Sequence, residues 1–142
     1  MAEPHFAFVF PIEGMDTNTF IQEIHAKANR FTPFDIEIRC ATMNKDIFLD
    51  YYHLLLVPDK GYSNVVKLHD ILYSGILSEH LRLDVDFIPH MGIANARDPV
   101  RVKAWADHWN QKDFCISGKI DALTVVDYNN LVINDLEEVK LS

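Results

Sequence analysis

Several residue types that would place a chain in a class at a glance are scarce here. Only two cysteines occur, Cys40 and Cys115, with no Cys-x-x-Cys spacing. That excludes a disulfide scaffold and offers no start for a zinc knuckle or a redox motif, so both are expected to be reduced thiols. No His-x-x-x-His pair stands in for them, and no metal or other cofactor is expected. No apolar run approaches the ~18 to 20 residues that cross a bilayer, and no basic leader precedes one, so the chain reads as cytoplasmic with no membrane partner. Positive charge is in deficit too, with 13 Lys and Arg against 21 Asp and Glu and a formal charge of −8. That sign opposes the phosphate-neutralising surface that long nucleic acid requires, which argues against DNA as a partner. A small nucleotide or an RNA end needs only local cations, and Lys45, Lys60, Arg97, Arg101 and Lys103 can supply them.

What is present suffices for one folded unit. The 142 residues are 49% hydrophobic, and no linker or low-complexity stretch interrupts them, so residues 1–142 read as a single domain. Residues 5–11 alternate and are rich in aromatics, which predicts a strand ended by Pro11. A helix follows, capped by Asp16, Thr17 or Thr19, with Phe20, Ile21, Ile24 and Ala28 at helical spacing. Ile36, Ile38 and Cys40 alternate with charged residues as in a strand with one wet face, and a second strand is expected over about 47–57. Val65, Leu68, Ile71, Leu72, Tyr73 and Ile76 form one helical stripe running to about Leu77. Residues 87–95 predict a strand, and Asp98-Pro99 a helix start with proline at its first position. Two strands, 114–127 and 131–141, close the chain around a turn at Tyr128-Asn129-Asn130.

The expected order is β-α-β-β-α-β-α-β-β. This is an α+β fold with two largely antiparallel sheets, bilobal with pseudo-twofold symmetry, and helices on the outside.

The most informative feature is a near-repetition: Pro4-His5-Phe6-Ala7-Phe8 and Pro89-His90-Met91-Gly92-Ile93. Each is a Pro-His pair entering an apolar stretch, with a very small residue two places after the histidine. In extended chain, side chains alternate, so His5 shares a face with Ala7 and His90 with Gly92. Lobes related by twofold symmetry would set the two imidazoles across one cleft. Imidazoles ordinarily titrate near ~6.5, so such a pair offers one base and one acid near neutral pH without a metal.

This doubled motif resembles that of the 2H phosphoesterase superfamily, also called the 2′-5′ RNA ligase family, in which it reads His-x-Thr/Ser-x. The segment Leu72-Tyr73-Ser74-Gly75-Ile76-Leu77 and the closing strand hairpin are similar as well, so the likeness runs from residue 4 through most of the chain. The resemblance implies a bilobal fold and two-histidine hydrolysis of 2′,3′-cyclic or 2′-5′ phosphodiesters of a small nucleotide or RNA end, with His5 and His90 as the catalytic pair. It also implies a hydroxyl holding the phosphate at each motif, where this chain has Ala7 and Gly92 instead. Losing two hydrogen bonds to a charged group costs about 3 to 6 kcal/mol, or ~10² to 10⁴ in rate. A nucleotide- or phosphate-binding protein of the same fold, without catalysis, is therefore the second reading, and an oligomeric interaction module the third.

Further contacts to substrate are assigned to Tyr52, His53, Asn95 and Arg97 beside the motif positions Ala7 and Gly92. The competing reading of Tyr52 and His53 is as half-buried strand residues, and of Asn95 and Arg97 as exposed turn residues. His25, His69, His80 and His108 are expected at the surface. Trp105 and Trp109, four apart on a helix, are expected to pack rather than stack on bases. Familiar members of the family carry a strand and helix before the first motif, where this chain has only a few residues, and an edge left uncovered there makes a homodimer a reasonable expectation.

Overall fold

The computed structural model describes residues 3–142. Its elements run α1 (Thr17–Ala28), β1 (Phe34–Lys45), β2 (Tyr52–Lys60), α2 (Tyr62–Leu72), a 3₁₀ helix (Gly75–His80), β3 (Met91–Ala96), α3 (Pro99–Asn110), β4 (Ile116–Ile120), β5 (Ala122–Asn129) and β6 (Val132–Lys140). The class is α+β and all strand pairing is antiparallel: β3-β2-β1-β4 form one sheet and β5-β6 a second. The two sheets are unequal, and the expected twofold relation between two lobes is not displayed.

Local chemistry explains the helix starts. The Asp16 carboxylate accepts from the Thr19 amide at 3.0 Å and caps α1, and Asp98 accepts from the Val100 amide at 3.0 Å ahead of Pro99 in α3. Along β1 the buried positions shift from Phe34, Ile36 and Ile38 to Ala41, because an irregularity between Ile38 and Cys40 moves the pleat by one. The buried face of the sheet then continues through Leu54 and Leu56 of β2, and α1, α2 and α3 cover it with Ile24, Ala28, Val65, Leu68, Leu72, Val102 and Ala106.

Three expectations need correction. Residues 5–11 do not form a strand; the segment makes one isolated antiparallel bridge, Phe6 to Met91, since Pro4 and Pro11 confine it and only β3 lies alongside. The long stripe after residue 62 is divided, α2 ending at Leu72 and a 3₁₀ turn beginning at Gly75, whose φ of +60° a helix interior does not permit. The C-terminal region holds three strands rather than two, and its last turn centres on Asn130 and Leu131, both at positive φ.

The segment Leu72–Leu77 proves to be a structural knot. Lys27, buried on α1, donates from Nζ to the Leu72 carbonyl at 3.0 Å and the Ser74 carbonyl at 2.6 Å, satisfying acceptors left free at the end of α2. Tyr73 is 5% exposed and its hydroxyl accepts from the Phe10 amide at 2.9 Å, which ties the N-terminal segment to the helical layer. Burial pushes the Tyr73 phenol up from its usual range, partly offset by that amide. His69, expected at the surface, is buried: its ring stacks on Phe87 with centroids 3.7 Å apart and tilts against Tyr73.

Candidate active site

Each motif histidine is held by the residue two places before it. His5 Nδ1 lies 2.7 Å from the Glu3 carbonyl oxygen, and His90 Nδ1 lies 2.5 Å from the Ile88 carbonyl oxygen. A carbonyl only accepts, so Nδ1 carries the proton in both rings and Nε2 is the atom left to exchange one. The intervening prolines account for the repetition. Pro4 and Pro89 fix their own φ and bias Glu3 and Ile88 toward extended backbone, presenting the same local geometry to each imidazole.

The Phe6–Met91 bridge then sets the two motifs side by side. In that antiparallel register His5 falls opposite Gly92, and Ala7 opposite His90. Phe6 and Met91 both pack against the core, and alternation along β3 turns Gly92 to the other face. His5, Ala7 and Gly92 are exposed and His90 half-buried, so the face is open to a ligand. A Cβ built on Gly92 meets nothing within 4 Å.

The same face extends across the sheet. Gly92 pairs with Leu55 and that with Thr42, and one step further Asn95 pairs with His53 and that with Asn44. His53, Asn95 and Gly92 thus share one face of the sheet, with Thr42 and Asn44 as polar neighbours that no sequence pattern singled out. Tyr52 does not join them. It alternates with His53, pairs with Lys45 and Ala96, and packs against the core under the Lys45 ammonium, 5.9 Å from its ring. Arg97 leaves β3 and places its guanidinium 5.3 Å from the ring of the neighbouring Tyr51.

His53 already has a partner. Its Nε2 lies 2.9 Å from Asp46 Oδ2, while the other Asp46 oxygen accepts from the Phe48 and Leu49 amides at 2.8 Å each. These contacts, the His53 bond first, hold the Asp46 carboxyl below its usual range. His53 therefore fastens the β1–β2 loop at one end of the face.

A separate open groove of about 1190 Å³ lies between the N-terminal segment, α1, β4 and the β5–β6 hairpin. His5, Phe6, Ala7 and Met91 are among its lining residues and His90 and Gly92 are not, so the groove takes in the first motif and not the second histidine. Trp105 and Trp109 pack at the margin of the core, Trp109 edge-on to Phe114 at 5.1 Å, as their spacing predicted.

The two imidazoles are tethered alike, each through Nδ1 to the carbonyl two residues back, in segments joined by the Phe6–Met91 bridge. The family model of the 2′-5′ RNA ligase superfamily matches residues 2–131, a span that contains both motifs, and the chain belongs to that superfamily. No curated protein matches the chain. Among the described residues no helix is long and apolar enough to cross a membrane.

Proposed function

We propose that this protein is a 2H-type phosphoesterase acting on a 2′,3′-cyclic or 2′-5′ phosphodiester of a small nucleotide or RNA end. His5 and His90 serve as the general acid and base. One Nε2 takes the proton from the attacking water or hydroxyl, and the other delivers a proton to the departing ribose oxygen. His53, Asn95 and Arg97 line the way along which the rest of the substrate lies. The observation that carries this reading is the identical tethering of the two rings, each Nδ1 on the carbonyl two residues back, in segments bridged through Phe6 and Met91.

The test assays purified protein on 2′,3′-cyclic nucleotides and 2′-5′-linked dinucleotides with chelator present, over about pH 5 to 8. Turnover is expected, and His5→Ala and His90→Ala are each expected to lower kcat by ~10² to 10⁴. A wild type that binds nucleotide without turnover favours the second reading, a binding protein, for which the missing side-chain hydroxyls at Ala7 and Gly92 are the specific observation.

A further inference from the structure

The open groove of about 1190 Å³ is lined without interruption by residues 3–12 and by residues 116–128. Successive side chains of an extended chain point to opposite faces, so a cavity that touches every residue of β4, and of β5 as far as Tyr128, runs along their edge and not over a face. That edge is free. Among the described residues β4 pairs with β1 alone and ends the four-stranded sheet, and β5 pairs with β6 alone. The N-terminal segment that shares the groove is itself held by one bridge, at Phe6, and by the Phe10 amide on Tyr73. Free strand edges are templates for a further strand.

The side chains along this slot are those of a surface that is ordinarily covered. Residues 126–138 are all exposed, and among them Val126, Tyr128, Leu131, Val132, Ile133 and Leu136 line the groove. A two-stranded hairpin is marginal until a third strand or a packed face supports it, and the buried residues of this one, Leu123, Val125 and Val139, all lie in its inner half. The charged lining is Glu3, Asp121, Asp127 and Asp135, against the single cation Lys119 among the described residues. That balance chooses among occupants. It repels RNA phosphate and anionic lipid, and a twofold contact with a second copy would set one acidic patch against another. The volume also exceeds the ~300 to 1000 Å³ of small-molecule sites.

We propose that the slot along β4 and β5 binds an extended segment of a partner protein, its apolar residues alternating with lysine or arginine, which adds there as a strand. The free edge supplies main-chain hydrogen bonds, the hairpin residues receive the apolar side chains, and the carboxylates receive the cations. The assignment is independent of the two-histidine reading, since nothing in it requires catalysis.

The experiment titrates a synthetic peptide of about nine residues, valine alternating with lysine and both ends blocked, into ¹⁵N-labelled protein. Amide shifts are expected over residues 116–128, with slower hydrogen exchange along β4 and β5. The same peptide with glutamate in place of lysine is expected to bind about tenfold more weakly, and so is the lysine peptide with proline at its centre, which lacks one main-chain donor. Asp127→Asn with Asp135→Asn changes two exposed side chains, so the unfolding midpoint is expected to stay put while affinity for the lysine peptide falls about tenfold. Four outcomes overturn the proposal: no shifts over residues 116–128, a glutamate peptide that binds as tightly, a proline peptide that binds as tightly, or a double variant that binds like wild type. A fifth is a free protein that sediments as a dimer with those amides already protected, which gives the slot to a second copy.

Discussion

The two histidine segments are alike at the scale of three residues and unlike at every larger one. Around each ring the construction is the same, a proline that sets the preceding carbonyl and a carbonyl that holds Nδ1. Beyond that, the second segment runs straight into β3, which pairs with β2 inside a four-stranded sheet, and its Pro89 is fully buried. The first has one bridge and one hydrogen bond to a side chain, Phe10 to Tyr73. Imidazole geometry in this protein is thus set locally, while its persistence is set by the scaffold, and the scaffolds differ. Perturbations are expected to sort accordingly: those beneath the first segment should act on the site before they act on the fold.

The largest effect is expected from Lys27→Met. It leaves the Leu72 and Ser74 carbonyls without their charged donor in a buried place, at a cost of about 2 to 3 kcal/mol. Denaturant unfolding measures that loss. Because the knot also holds Tyr73, nucleotide binding should weaken in conditions where the variant is still folded. Tyr73→Phe is narrower. It removes the acceptor of the Phe10 amide, about 1 kcal/mol in stability, and it should raise hydrogen exchange at Phe6 and Phe10 while leaving β2 and β3 protected.

Pro4→Ala against Pro89→Ala sharpens the contrast directly. Each releases about 0.4 to 1 kcal/mol of unfolded-state restriction, but at residue 4 the loss should appear mainly in kcat, and at buried residue 89 mainly in stability. Equal partition between the two readouts would break the comparison. The smallest effect lies at the far end of the face. Asp46, held low by His53, contributes to folding above its unfolded value of about 4 and loses that contribution as pH falls through its lower folded value. Asp46→Asn should remove that part of the acid dependence, measured as the change in unfolding midpoint between neutral and acid pH, with little change in nucleotide affinity.

Much of this arrangement was legible in the residues. Proline before histidine, twice, marked the two segments whose imidazoles are tethered alike, because proline constrains the backbone on its own, whatever surrounds it. Asp98-Pro99 marked the start of α3 for the same reason. Alternation in β1 was readable up to Ile38 and already lost at Cys40, because an irregularity in pairing with β2 between those two shifts the phase and leaves no local signature. The N-terminal segment has strand composition and still lacks strand pairing, since pairing depends on what lies beside it. Tyr52 and Tyr51 could not be told apart, because the face each takes follows from the register with β3 rather than from its own neighbours. His69 was misplaced through its polarity: an imidazole with a half-buried Phe87 to stack on and Asp70 Oδ1 3.0 Å from Nδ1 is accommodated inside.

A seam closed by a single bridge behaves as a latch. Under the proposed two-histidine mechanism Phe6 has to sit against Met91, and the observed rate then equals the intrinsic rate scaled by the fraction of time that contact is made. Anything that presses the first residues onto β3, whether a ligand spanning both rings or a fusion that extends the segment into a longer pairing, raises that fraction without touching the chemistry. A tag placed before Glu3 is therefore not a neutral addition to this protein, and its removal belongs among the variables of any activity measurement.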